Sequence, residues 1–292
     1  MAVVAAILLA ATLLSPAIAD TVTWGKYKQN FNDTRILGRL PDHNATDLTL
    51  EHCEITELKP GDFDGLPNLT GIDLSNNKLQ HLEPSEFTDV TQLGALFLTH
   101  NLLTEVPHFW KLSLFPNMTI LSLSNNKIST LDDPKTFSSM HSLKILSLHT
   151  NGISYIHPDT FKHLTKLEII SLHNNNLQHI PDGTFHVNSL RIIFLQNNVI
   201  SSVAPDAISS SKLESLLLKN NKLNYLPPRF VLKLKESSSS FDFFRFNGNP
   251  WQCACLLEVL AEVNQTRVRY SDKADSCKQD AVPCDRSKKV LS

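Results

Sequence analysis

Apolar positions along this chain recur in a fixed grouping, with polar residues between them. The template L-x-x-L-x-L-x-x-N-x-L aligns at Leu69/Ile72/Leu74/Asn77/Leu79 and at Leu93/Leu96/Leu98/Asn101/Leu103. It returns at Met118/Leu121/Leu123/Asn126/Ile128, Leu143/Leu146/Leu148/Asn151/Ile153, Leu167/Ile170/Leu172/Asn175/Leu177, Leu190/Ile193/Leu195/Asn198/Ile200 and Leu213/Leu216/Leu218/Asn221/Leu223. An opening copy, Leu48/Leu50/Cys53/Ile55, has Cys where the others have Asn, and a closing copy uses Phe241/Phe244/Phe246/Asn249. That makes nine copies, 23 to 28 residues apart, the longest step holding the Ser-rich loop of residues 237–240.

A period of this length predicts stacked supersecondary units. The L-x-L step alternates in and out, which is strand geometry with the leucines facing inward. One copy cannot hide that face alone, whereas copies stacked as parallel strands about 4.8 Å apart form a solenoid about 40 Å long. The recurring Asn donates and accepts at once, so it can satisfy inward-turned backbone groups and form an internal amide ladder. Phe63, Phe87, Phe109, Phe137, Phe161, Phe185 and Phe230, with Ile208 substituting once, predict a second apolar spine on the convex half.

A stack exposes its core at both ends and needs caps. At the C-terminal end, Asn249-Pro250-Trp251 leads into Cys253 and Cys255, an amphipathic run from Leu256 to Val263, and then Cys277 and Cys284. The run predicts a short covering helix. Cys253 and Cys255 are too close in sequence to bond each other easily, so the pairs are Cys253 with Cys277 and Cys255 with Cys284, or the crossed alternative, and a zinc site is the competing reading. Cys53 reads either as a buried ladder thiol or as a bridge to another chain. An N-terminal cap over 20–44 has no cysteine and would rely on Trp24, Ile36 and Leu40.

The first nineteen residues carry an apolar run from Ala2 to Leu14, then Pro16 and Ala17-Ile18-Ala19, which reads as a cleavable signal peptide; an uncleaved anchor is the alternative. No later segment is apolar enough to span a bilayer, and the tail after Cys284 is polar, so the mature chain is expected to be released to the extracellular space. Five sequons, at Asn32, Asn44, Asn68, Asn117 and Asn264, suit that compartment. The expected division is a signal peptide over 1–19, an N-terminal cap segment over 20–44, repeats over 45–248, a cysteine-rich cap over 249–284 and a polar tail over 285–292. With 27 basic and 29 acidic residues and no long run of either sign, no field selects nucleic acid or an anionic membrane.

The repeats and the Cys253-x-Cys255…Cys277…Cys284 flank resemble extracellular leucine-rich-repeat proteins with a cysteine-rich C-terminal cap. That resemblance implies an α/β leucine-rich-repeat horseshoe with a parallel sheet on its concave face. The short secreted layout is also similar to insect proteins of the mosquito leucine-rich immune group. This second resemblance implies haemolymph defence beside complement-like thioester proteins, and an extracellular partner, complement-like or pathogen-derived. The sequence carries neither the coiled coil nor the extra cysteines that pair members of that group.

Residues flanking the inward leucines should line the concave face. One column places Ile120, Ile145, Ile169 and Ile192 in four consecutive copies; the next contains Phe97, Phe194 and Leu217. Branched residues suit strands anyway, but four in a row form one contiguous patch of the kind that marks interaction sites. These residues are the candidate partner-binding set. On the rim, adjacent His149 and His173 would be a pH-sensitive pair, a metal site or, in the ordinary case, simply polar. No nucleophile elbow, phosphate loop or H-E-x-x-H helix is present, so neither an enzyme nor a cofactor is expected. The leading function is recognition of a macromolecule, with an adhesion, matrix or self-associating role as the alternative.

Overall fold

The structure is a computed structural model, and it describes residues 21–23, 45–109, 115–270 and 284. A single parallel sheet organises it. Its nine repeat strands are Asp47–Thr49, Gly71–Asp73, Ala95–Phe97, Ile120–Ser122, Ile145–Ser147, Ile169–Ser171, Ile192–Phe194, Ser215–Leu217 and Phe243–Arg245. The register aligns Leu48, Ile72, Leu96, Leu121, Leu146, Ile170, Ile193, Leu216 and Phe244 in one inward column, as the repeat demands. Each of these side chains is buried.

The sheet is longer than the nine copies predict. Thr21–Thr23 adds a strand against Asp47–Thr49, and Arg269–Tyr270 adds one against Phe243 and Phe244, giving eleven strands. Both ends of the sheet thus find hydrogen-bond partners outside the repeat, which periodicity alone cannot reveal. Trp24, Ile36 and Leu40 lie outside the described residues.

The asparagine ladder works by tying each coil to the one before it. Asn175 is representative: its Oδ1 accepts the Ile153 N–H at 3.0 Å, and its Nδ2 donates to the carbonyls of Leu148 and Leu172, each at 3.0 Å. The same contacts recur at Asn77, Asn101, Asn126, Asn151, Asn198, Asn221 and Asn249. To aim these amides inward the chain turns sharply, and the residue just before each takes positive φ: Asn76, His100, Asn125, Thr150, Asn174, Asn197, Asn220 and Gly248. Asn tolerates that conformation well, and at Gly248 an added Cβ would collide with Asn220 Oδ1. At the first rung Cys53 is half-buried, not fully buried as expected; its N–H donates to Asn77 Oδ1 and its Sγ lies 3.4 Å from the Glu51 carbonyl.

The phenylalanine spine forms as predicted. Phe63 stacks on Phe87 at 5.6 Å, Phe137 on Phe161 at 6.0 Å and Phe161 on Phe185 at 5.8 Å. Phe115, at the repeat position that Leu66, Val90 and Met140 hold in other coils, joins it edge-on to Phe87 and Phe109. Three short parallel pairs on the same side, for example Thr130–Leu131 with Tyr155–Ile156, extend the backbone bonding between coils.

At the C-terminal end the amphipathic run is a helix, Cys253–Thr266, burying Cys255, Leu256, Val259 and Val263 against the last coil. It packs on a second helix, Phe230–Ser237, whose first free N–H groups, at Val231 and Leu232, donate to the Glu262 carboxylate at 2.8 and 3.3 Å. Glu262 therefore caps that helix from outside, where Arg229 supplies no side-chain cap. Cys255 bonds Cys284, with Cα atoms 4.7 Å apart, which makes that pair a disulfide and not part of a zinc site. Cys253 is also disulfide-bonded, and Cys277 lies outside the described residues.

Candidate binding surface

The strand alternation that sends one column inward sends its neighbours to the concave face. Ile120, Ile145, Ile169 and Ile192 stand side by side in register on adjacent strands, and Phe194 and Leu217 pair in the next column. Four of the candidates come together: Ile192, Phe194 and Leu217 form an apolar cluster separate from the main core, with Ile169 packed against it. Ile120 and Ile145 continue the strip half-buried.

One expectation needs correction. Ile192 was expected to face solvent like its three neighbours, yet it is only 7% exposed, with Phe194 at 5% and Leu217 at 7%. The bulk of these three side chains on adjacent strands explains it: they shield one another without entering the core. Phe97 does not join them, because Ser122, Ser147 and Ser171 stand between it and Phe194 in the same column.

His149 and His173 do meet. Their rings stack with centroids 4.4 Å apart and planes 15° from parallel, and His173 also packs edge-on to Phe194 at 6.3 Å. Burial, together with the charge of His149, pushes His173 down to about 4. Burial also lowers His149, with His100 adding to the effect. A neutral, stacked pair is an apolar wall with polar edges. Ser171 Oγ sits 2.8 Å from His173 Nδ1, fixing the ring. His173 therefore stays neutral through mild acid. Among the described residues no three His, Cys, Asp or Glu side chains are grouped to hold a metal ion.

Other features escaped the sequence reading. The serines between Phe97 and the cluster form a hydroxyl chain: Thr99 to Ser122 at 2.8 Å, Ser122 to Ser124 at 3.4 Å, and Ser124 to Ser147 at 2.7 Å. Their alternation in two columns was the available signal. Along the edge of the sheet Arg191 bridges Glu168 and Glu214, at 3.4 and 2.8 Å. At the C-terminal end Phe243 lies beneath two guanidinium groups, Arg245 at 5.2 Å and Arg269 at 5.9 Å. Of the sequons, Asn68, Asn117 and Asn264 are exposed, while Asn32 and Asn44 lie outside the described residues.

The leucine rich repeat family model matches residues 43–103, 116–177 and 165–223, together more than half of the chain. This chain is a leucine-rich-repeat protein. Its fold is that of an α/β leucine-rich-repeat horseshoe, a binding scaffold and not an enzyme. Among solved structures it is similar to the protein chain of the TLR13-ssRNA13 complex, at 26% identity and a TM-score of 0.65, over 71% of this chain. It spans only 29% of the length of that protein. A search of curated proteins gives no significant match. Among the described residues no helix of this leucine-rich-repeat chain is long and apolar enough to cross a membrane.

Proposed function

We propose that this is a secreted recognition protein that binds an extracellular protein through the concave face of its repeats, in innate defence. The observation that carries the reading is the second apolar cluster, Ile192, Phe194 and Leu217 with Ile169, set on the sheet's outer face and apart from the core. A fold needs only its inward column to hold the coils together, so a contiguous apolar group on the other face is unaccounted for by stability. Binding is its natural use.

Secretion is supported by the apolar N-terminal run ending in Ala17-Ile18-Ala19, by the Cys255–Cys284 disulfide and by exposed sequons at Asn68, Asn117 and Asn264. The defence role is supported by the resemblance to insect immune proteins and by the likeness to TLR13. TLR13 is seen with ssRNA13; here the concave strip is apolar and hydroxyl-lined, which favours a protein.

The test is capture of partners from native extracellular fluid by the wild-type chain and by an Ile145→Asp/Ile169→Asp variant. The variant should lose the captured partner while keeping its melting temperature. Equal capture by both would remove the concave face from consideration. Sizing the purified chain separates the alternative, since a self-associated species that Ile145→Asp/Ile169→Asp dissolves would favour the structural role.

A further inference from the structure

The concave face is polarised along the stack, and that polarity narrows the partner, provided the face binds as proposed above. The first two coils present Asp47, Glu51 and Asp73; the last two present Lys219 and Arg245; the apolar patch lies between. These two ends are answered differently within the chain. Asp73 Oδ1 accepts the Ser75 N–H at 2.8 Å, Asp47 Oδ2 accepts the Thr46 hydroxyl at 2.9 Å, and Glu51 Oε1 accepts Asn76 Nδ2 at 2.9 Å. At the other end Arg269 is paired with Asp242 at 2.8 Å, but among the described residues neither Lys219 nor Arg245 forms an ion pair. Arg245 stands in register beside Leu217, so the uncompensated positive charge abuts the apolar cluster directly.

We propose that the face holds a linear acidic and apolar segment of a protein partner. Its aliphatic or aromatic side chains sit on Ile145, Ile169 and the Phe194 cluster, and its carboxylates reach Lys219 and Arg245. The span sets the pattern. Four strand steps separate Ile145 from Phe243, about 19 Å, which an extended chain covers in about six residues. The carboxylates therefore lie within about six residues of the apolar anchors. A polyanion such as single-stranded RNA fits poorly, because its repeating charge needs cations along its length. Laid here it would leave two cations and run toward three carboxylates about 34 Å away.

A displayed library of random peptides of about twelve residues, long enough to cover the face, selected on the intact disulfide-bonded chain, tests this. Enriched sequences should combine an apolar cluster with Asp or Glu within about six residues. Against Lys219→Glu/Arg245→Glu the charge preference should invert to Lys or Arg, and the best acidic peptide should lose about tenfold or more in affinity. Lys219→Gln/Arg245→Gln should lose the preference without inverting it, which guards against misfolding of the reversed variant. Apolar peptides without acidic bias, a bias that survives the reversal, or no enrichment would each overturn the proposal. Peptides that still bind Ile145→Asp/Ile169→Asp would instead sink the concave-face reading itself. An oligoribonucleotide that bound as tightly as the peptides and was lost on charge reversal would replace the peptide with a polyanion.

Discussion

Two aromatic and aliphatic stripes run along this stack, and they are built from the same kinds of residue at the same spacing. On the convex side Phe137, Phe161 and Phe185 are completely buried, each covered by the loops of its own coil and by its neighbours. On the concave side Ile192, Phe194 and Leu217 are nearly as buried, but by one another, by Ile169 and by the edge of His173. Low exposure therefore has two different causes in one molecule. The spine is dry because the chain encloses it, and the concave cluster because large side chains on adjacent strands crowd together.

Truncation should separate the two causes most sharply. Phe161→Ala removes a ring packed on both sides and opens a cavity that rigid coils cannot close, so it should cost about 3–5 kcal/mol. Phe194→Ala removes a ring whose outer surface meets no backbone layer, and should cost about 1–2 kcal/mol. Urea denaturation of the two variants beside the wild type measures both. Equal losses would mean that the concave cluster is core after all, and the case for a binding surface would lose its main support.

The stripes also differ in how they hold ionisable groups. Beside the spine, Glu86 is 7% exposed, and its Oε2 has no hydrogen-bond partner among the described residues. Burial pushes its carboxyl up to about 7, and the Glu83, Asp62 and Glu57 carboxylates add to the effect. The raised value means the folded chain holds this proton more tightly than the unfolded chain does. The stabilisation is complete below about 4.5 and is lost as pH rises toward 7. Glu86→Gln should therefore be neutral at pH 4.5 and stabilising by about 1–3 kcal/mol at pH 8. The concave histidines act oppositely: with His173 at about 4, binding should not change between pH 7.5 and 5.5. A thermal melt series on Glu86→Gln and a binding titration across that range check the contrast, and binding that changes severalfold between pH 7.5 and 5.5 would return the histidine pair to the list of sensors.

What the sequence disclosed follows from the same distinction. The inward leucines, the amide ladder and the phenylalanine spine were legible because each repeats in every coil and serves its immediate neighbours. The two end strands, Thr21–Thr23 and Arg269–Tyr270, were not, because they belong to no repeat. The cap of Glu262 on Val231 joins residues about thirty apart through the meeting of two helices, which no local pattern encodes. The concave columns could be named, including the serines at 122, 147 and 171 that part Phe97 from Phe194, but not how far bulk would bury Ile192. The cations of Lys219 and Arg245 stood in those columns too; their meaning emerged only when the acids at the other end proved to have partners inside the chain.

The smallest effect sits where the two stripes are joined by the turn. Seven of the eight residues that precede a ladder Asn with positive φ are Asn, His or Gly, which tolerate it; Thr150 is the β-branched exception, at φ 55°. Its branched Cβ crowds the backbone in that conformation, a strain on the order of 1 kcal/mol. The turn is kept because Asn151 beyond it binds the Leu123 and Leu148 carbonyls at 3.0 and 3.1 Å, and because the Thr150 N–H donates to the His173 carbonyl at 3.0 Å. Thr150 Oγ1 also lies 3.1 Å from His149 Nδ1, so the strained residue steadies the stacked pair. Thr150→Asn should relieve the backbone and raise stability by about 0.5–1 kcal/mol. The same change removes the hydroxyl beside His149 and should loosen its ring, visible as broader imidazole resonances. A variant that gained stability with His149 unmoved would show that the turn serves the ladder alone; one that lost stability would show that the hydroxyl contact outweighs the strain.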